Sequence, residues 1–448
     1  MEFLLDRFEE YRTEEAIVWS DQAFTYGWLL NRIREWDGVL ADENLVPGSV
    51  VAIEADFSPT SIALFLALTN RRCISVPLTE STDVKNDECK SIAQCGMSFH
   101  IGADDRVSIE RLSHKADHEL YRALWDECNP GLVVFSSGST GQSKAAVHNL
   151  TALLKKFEVR RQKLRSITFL LFDHLGGINT LLYQLSNGGC TIALSDRSPS
   201  SVLAAVEAHN VELLPTSPTF FNLILLSGAH KNHDLSSLKI MTYGTEPMQE
   251  SVLKRFHALF PWIRLQQTYG VSEMGVLRTK SKSSDSLWVK IGGKEFKTRI
   301  VDGILQIKSQ SAMLGYLNHP SPFTEDGWFS SGDRVEVDGE YIRFLGRESE
   351  IINVGGEKVY PAEVESVLKE LEEVAEVAVY AGENPIVGSV VCADVLPSEE
   401  EYDPKMLIRK IKKYCASRLQ LYKVPAKVKI VQERLHGERF KLMRRREE

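Results

Sequence analysis

The 448-residue chain is 43% apolar and 25% charged, the balance of an ordinary soluble globular protein, and its net charge of −8 disfavours a nucleic-acid partner. Its length exceeds what one hydrophobic core usually supports and suggests about three domains or subdomains. Seven cysteines, at 73, 89, 95, 128, 190, 392 and 415, form no C-x-x-C pair, which argues against zinc and a disulfide framework and predicts a reducing, cytoplasmic setting. The acidic N-terminus has no long apolar segment and no run approaches ~18 apolar residues, so neither a signal peptide nor a membrane span is expected. The basic run at 444–446 is followed by two glutamates and reads as a solvated tail.

In chain order, 49–55 (SVVAIEA) reads as a strand, 59–70 (PTSIALFLALTN) as a helix, and 131–136, 166–172 and 190–195 as further strands. A helical stretch at 199–210 (PSSVLAAVEAHN) and a strand at 238–244 continue the alternation, which predicts parallel sheets covered by helices. From 287 to 344 short strands and turns replace it, and beyond 347 a helix, two strands and an amphipathic helix follow. The expected fold class is therefore α/β. A large N-terminal lobe of parallel-rich sheets with a small β-rich subdomain spans 1–347, and a small mobile α+β lid spans 348–448.

At 133–148 (VVFSSGSTGQSKAAVH) an apolar strand runs into Ser136, Ser137, Gly138, Ser139, Thr140 and Gly141, none of which can fill a core. Glycines let backbone N–H groups turn into a nest, hydroxyls add donors and Lys144 adds charge, so the expected guest is a phosphate. The loop is not a Walker A sequence, because Ser143 stands five residues after Gly138 and Ala145 follows the lysine. Further polar motifs lie at 267–275 (QTYGVSEMG), 328–336 (WFSSGDRVE), 344–365 (FLGRESEIINVGGEKVYPAEVE) and 438–445 (ERFKLMRR). An aromatic face can stack a base, one carboxylate can accept from ribose hydroxyls, and another can hold Mg²⁺ on phosphates, which makes the ligand a nucleoside triphosphate.

In the order and spacing of these motifs, with YGTEPM at 243–248, the chain resembles the adenylate-forming superfamily of acyl- and aryl-CoA synthetases, peptide-synthetase adenylation domains and beetle luciferase, over nearly its whole length. The resemblance implies that an acid is activated by ATP to an acyl-AMP with loss of pyrophosphate, then passed to a thiol of CoA or a carrier-protein phosphopantetheine. It assigns the loop from Ser136 to Lys144 to the β- and γ-phosphates, Tyr269 to adenine stacking, and Gly244, Thr245 and Glu246 to the neighbouring wall of the base pocket. Ser272 would touch the α-phosphate, Glu273 would bind Mg²⁺, and Asp333, with Arg347 close by, would hold the ribose. Lys441 aligns with the catalytic lysine of the family's GK-x-x-R ending, and His174 stands at the mouth of the acyl pocket. Outside this context Tyr269 reads as a buried tyrosine, Asp333 as a turn aspartate and Lys441 as a surface lysine.

Three positions depart from the family pattern: Ser349 replaces the hinge carboxylate, Asn353 a lysine, and Phe440 the glycine before the catalytic lysine. Residues 214–221, Gly176, Gly177 and 243–245 are expected to line a mainly apolar acyl pocket. Asp173 reads either as the anchor of a substrate amine, as in amino-acid-activating relatives, or as the equivalent of a position in acyl-CoA ligases, which the spacing to Gly189 suits better. A stand-alone amino-acid adenylation protein loading a peptidyl carrier, or a non-catalytic adenylate-binding homologue, are the alternatives.

Overall fold

The computed structural model describes residues 1–79, 83–137, 143–293, 295–384, 388–399, 401–437 and 439–444. Gly138, Ser139, Thr140 and Gly141 of the expected phosphate loop lie outside the described residues.

Helix Pro59–Asn70 illustrates how local sequence sets an element. Ser58 and Ser61 form a reciprocal capping box, proline occupies the first turn, and nearly every residue is buried. A helix apolar on all sides must lie inside, and this one packs in the principal core with Phe57, Phe99, Leu132 and Phe172. The first of three seven-stranded sheets runs Arg264–Gln267, Ile240–Tyr243, Leu213–Thr216, Arg165–Ile167, Cys190–Ala193, Glu15–Trp19 and Gln22–Thr25, parallel except at its last pair. The second is parallel at its centre and antiparallel at its ends. One end holds Gly131–Ser137, Ser143–Asn149 and the two-residue strand Gly315–Tyr316. The third sheet, from Tyr269–Val271 to Phe296–Val301, is antiparallel throughout and corresponds to the expected β-rich region.

The last hundred residues build a smaller sheet around Val374–Asn384 and Gly388–Pro397, covered by helices Pro361–Leu368 and Pro404–Ala416. Val364, Val379, Val395 and Ile411 belong to a hydrophobic cluster of its own. A single 3₁₀ turn, Glu348–Glu350, joins it to the strand Tyr341–Arg347.

The expected strand over 166–172 is shorter than its apolar run. Pairing ends at Ile167, and the chain then turns onto the first turn of helix Leu175–Ser186. The approach is close: a Cβ on Gly177 would lie 2.3 Å from the Leu171 carbonyl oxygen. Apolar character marked burial there, and packing of Phe169 on Phe220 and of Phe172 on Phe57 and Phe65, not strand pairing, supplied it.

Candidate active site

The described residues on either side of the serine-rich stretch pair as neighbouring strands: Gly131–Ser137 runs antiparallel to Ser143–Asn149, with Ser136 opposite Lys144. Asn318 clamps the second of them, its Oδ1 accepting from the Ala145 N–H (3.1 Å) and its Nδ2 donating to the Ser143 carbonyl (2.8 Å). Two residues earlier Tyr316 donates its hydroxyl to Glu273 Oε1, and its ring lies 5.7 Å from Lys144 Nζ. Glu273 Oε2 has no hydrogen-bond partner among the described residues. Beneath it, fully buried His148 donates from Nε2 to the Ser272 carbonyl (2.7 Å), and burial pushes its pKa down to about 4.

Tyr269 and Asp333 form a second group on the antiparallel sheet. The Tyr269 hydroxyl donates to Asp333 Oδ2 (2.6 Å) while Arg347 Nε pairs with Oδ1 (2.9 Å). Burial raises the Asp333 carboxyl above its ordinary range despite the opposing pull of Arg347 and the Tyr269 hydrogen bond. One face of the Tyr269 ring is stacked on Phe344 at 4.6 Å and 16°. A base can therefore use only the opposite face. Gly244 lies close against the neighbouring strand end, where a Cβ would stand 2.7 Å from Thr268 Oγ1, and Thr245 is exposed at φ 73°.

Glu246 points elsewhere than the base-pocket wall expected for it. Its Oε1 accepts from the Thr219 N–H (2.8 Å) at the start of helix Pro218–Ser227, and its Oε2 accepts from the Leu442 N–H (2.9 Å) of the lid. The lid thereby presents a tight C-terminal hairpin, closed by the bridge His436↔Leu442 and held to the lid by Glu376, which accepts from the Leu435 N–H (2.8 Å) and pairs with buried His436 (3.0 Å). Just beyond it, Arg444 grips Glu365 through two bonds of 2.9 Å and Glu350 at 2.8 Å.

This hairpin carries Lys441 half-buried into a cleft of the large lobe beside His174. Burial lowers the Lys441 pKa, the Glu246 carboxylate opposes that, and Arg439 and Arg347 add to it. His174 caps helix Leu175–Ser186, with Nδ1 accepting from the Gly176 N–H (3.0 Å). Burial, with the nearby Lys441 and Arg439 charges, drives its pKa down to about 3, which keeps the ring neutral at pH 7. Asp173 Oδ2 accepts from Thr79 (2.9 Å) and from Arg439 of the lid, so a lid arginine already matches its charge. Lys423, another lysine of the C-terminal part, is engaged by both oxygens of Glu363.

Sequence reasoning singled out Lys144, Glu273, Asp333, Arg347 and Lys441; the fold sets Tyr316 between Lys144 and Glu273, pairs Asp333 with Arg347, and brings the Arg347 charge within reach of Lys441. It missed Tyr316, Asn318 and His148, for which the only local signal was a tyrosine and an asparagine in a proline-flanked loop. Among the described residues no group of three or more His, Cys, Asp or Glu could hold a metal, and no helix is long and apolar enough to cross a membrane.

A family model described as AMP-binding enzyme matches residues 4–317, and one described as AMP-binding enzyme C-terminal domain matches 363–439. The chain is 28% identical over 456 residues to a feruloyl-CoA synthase of Amycolatopsis sp., spanning 92% of this chain and 91% of that protein. It is 27% identical over 332 residues to the indoleacetate–CoA ligase of Aromatoleum aromaticum, spanning 68% of this chain and 64% of that protein. The fold matches that of the anthranilate CoA ligase AuaEII, solved in complex with anthranoyl-AMP, with a TM-score of 0.82 at 19% identity, covering 98% of this chain and 95% of that one. With one model spanning well over half the sequence and another its C-terminal part, the chain belongs to the AMP-binding enzyme family.

Proposed function

We propose that this chain couples ATP to the activation of a small carboxylic acid in the cleft between the large lobe and the lid, then transfers the acyl group to the thiol of CoA. It is an AMP-forming acid–thiol ligase. The acid's carboxylate attacks the α-phosphorus, the bond to the β-phosphate oxygen breaks, and pyrophosphate leaves. The thiol then attacks the acyl carbon and AMP departs. The observation that carries this reading is that Glu246 on the Leu442 N–H and Asp173 on Arg439 hold the residues either side of Lys441 to the large lobe, where Lys441 lines the cleft beside His174.

Both reactants of the first step are anions, so the barrier is largely repulsion and misorientation. The Lys441 ammonium meets the charge that builds on the α-phosphate, Lys144 and the hydroxyls of the loop hold the departing phosphates, and Asp333 with Arg347 fixes the ribose. Tyr269 offers its open face to adenine, with Gly244 and Thr245 alongside, and Ser272 stands at the α-phosphate. No general base is needed because the nucleophile is ionised at neutral pH, which agrees with a neutral His174. Mg²⁺ takes oxygen ligands and is commonly held by one or two carboxylates plus substrate phosphates, a demand that Glu273 Oε2 fits, and it would supply charge neutralisation on the phosphates. An amino-acid substrate would have to displace Arg439 from Asp173, which supports an acid without an amine. The cytoplasm, where CoA and ATP are at hand, suits the seven free cysteines.

Pyrophosphate exchange into ATP against fatty, aryl and amino acids tests this function. Exchange is expected with fatty or aryl acids, and exchange with amino acids alone would overturn it. Lys441→Ala should lower exchange by at least ~10²-fold, since a positioned charge at a developing anion is worth several powers of ten in rate, and should slow thioester formation from preformed adenylate far less. Equal losses in the two half-reactions would remove Lys441 from the first.

A further inference from the structure

The residue before Lys441 is a phenylalanine where the family ending carries glycine. Phe440 sits at φ 50°, in the left-handed region that favours glycine and disfavours a residue with a Cβ. The hairpin turn alone does not call for a ring there. The ring stacks on His436 of its own hairpin and packs its other contacts on the large lobe, its centroid 5.3 Å from those of both Phe169 and Phe220, while its carbonyl accepts from Ser217 Oγ at 2.6 Å. Phe440 and Lys441 line one small cleft with Phe169, Leu170 and Leu171 of the lobe.

We propose that Phe440 is a specificity-determining wall of the acid pocket, which restricts activation to compact acids while the lid holds Lys441 in the site. The inference rests on the placement of Lys441 at the reacting carboxylate. An acid with its carboxylate at Lys441 must run its tail along the adjoining side chain, because consecutive residues of the hairpin face the same cleft. With glycine at 440 the volume of a phenyl ring between Phe169 and Phe220 would be open to substrate. With phenylalanine the aromatic cluster closes it. The wall belongs to the lid, so it withdraws when the lid turns.

The test is pyrophosphate exchange by the full chain over straight-chain acids of rising length and over aryl acids. Phe440→Gly relieves the backbone and removes the wall, and should raise the kcat/KM ratio of long to short acids by ~10-fold or more, the discrimination that a few methylenes confer in an apolar pocket. Phe440→Trp, which enlarges the wall, should lower the same ratio and serves if the glycine variant fails to fold. A ratio that stays put in the folded glycine variant, or that rises in the tryptophan variant, would overturn the proposal. The underlying reading fails separately: exchange that survives Lys441→Ala removes the lysine from the site, whereas loss of exchange in Lys441→Ala with an unmoved acid ranking in Phe440→Gly removes only the wall.

Discussion

Glu273 stands next to a glycine turn and would be one exposed acid among many without its neighbour. Tyr316 changes that, because one hydroxyl orients the carboxylate while the same ring lies under Lys144, so a single side chain registers the acid against that lysine. Glu273→Gln should raise the Mg²⁺ concentration needed for half-maximal exchange and lower turnover, since an oxygen ligand loses its charge at constant size. Tyr316→Phe should shift the titration the same way by a smaller factor, about 3- to 10-fold, the scale of one ordinary net hydrogen bond. An Mg²⁺ titration unchanged in both variants would take the pair out of the metal site. The carboxylate was legible from its motif. Its orienting tyrosine was not, because the two meet across 43 residues of sequence.

Among the elements, the C-terminal hairpin and the 3₁₀ turn at Glu348–Glu350 decide where Lys441 goes. The turn is tied on both sides: Glu348 pairs with Arg334 of the large lobe at 3.1 Å, and Glu350 with Arg444 beyond the hairpin at 2.8 Å. Between them, the Ser349 N–H has no hydrogen-bond partner among the described residues. Its central place makes it the pivot expected if one lid orientation serves adenylation and another admits the thiol. A proline fits the φ of a 3₁₀ turn, removes that N–H and stiffens Glu348 before it, so Ser349→Pro should keep exchange within about 3-fold of wild type and slow thioester formation ~10-fold or more. Single-turnover measurement of each half-reaction checks this, and equal slowing of both would place the pivot elsewhere. The turn itself was visible as a break in periodicity, whereas its ion pairs were not, since Glu350 finds Arg444 94 residues away.

For the molecule as a whole, His148 couples the site to stability. It is fully buried where the hairpin of the second sheet meets the Ser272 backbone, and its folded pKa of about 4 lies below the ordinary 6.5. Between those values the unfolded chain binds a proton that the folded one excludes, so stability is full above about pH 6.5 and falls as pH drops toward 4. From about pH 7 to about pH 5 the loss from this group should come to about 2 kcal/mol. Urea unfolding at both pH values should show that loss in the wild type and a loss smaller by about that amount in His148→Gln, whose amide can still donate to the Ser272 carbonyl; equal losses would mean His148 is not the group that titrates.

Helix Pro59–Asn70, the alternation of strands and helices, the β-rich region, the lid and the chemical types at the site were all present in the sequence by itself. Caps, periodicity and turn residues act within a few positions of one another, so they need no fold to be read. Only the tertiary structure decided that Asp173 answers Arg439 across 266 residues, that Glu246 holds the Leu442 N–H across 196, and that Phe440 packs on Phe169 and Phe220 of the other lobe. Each depends on which charged, polar or aromatic groups are left facing one another once the two cores have formed. That outcome follows from packing over the whole chain, which no local stretch encodes.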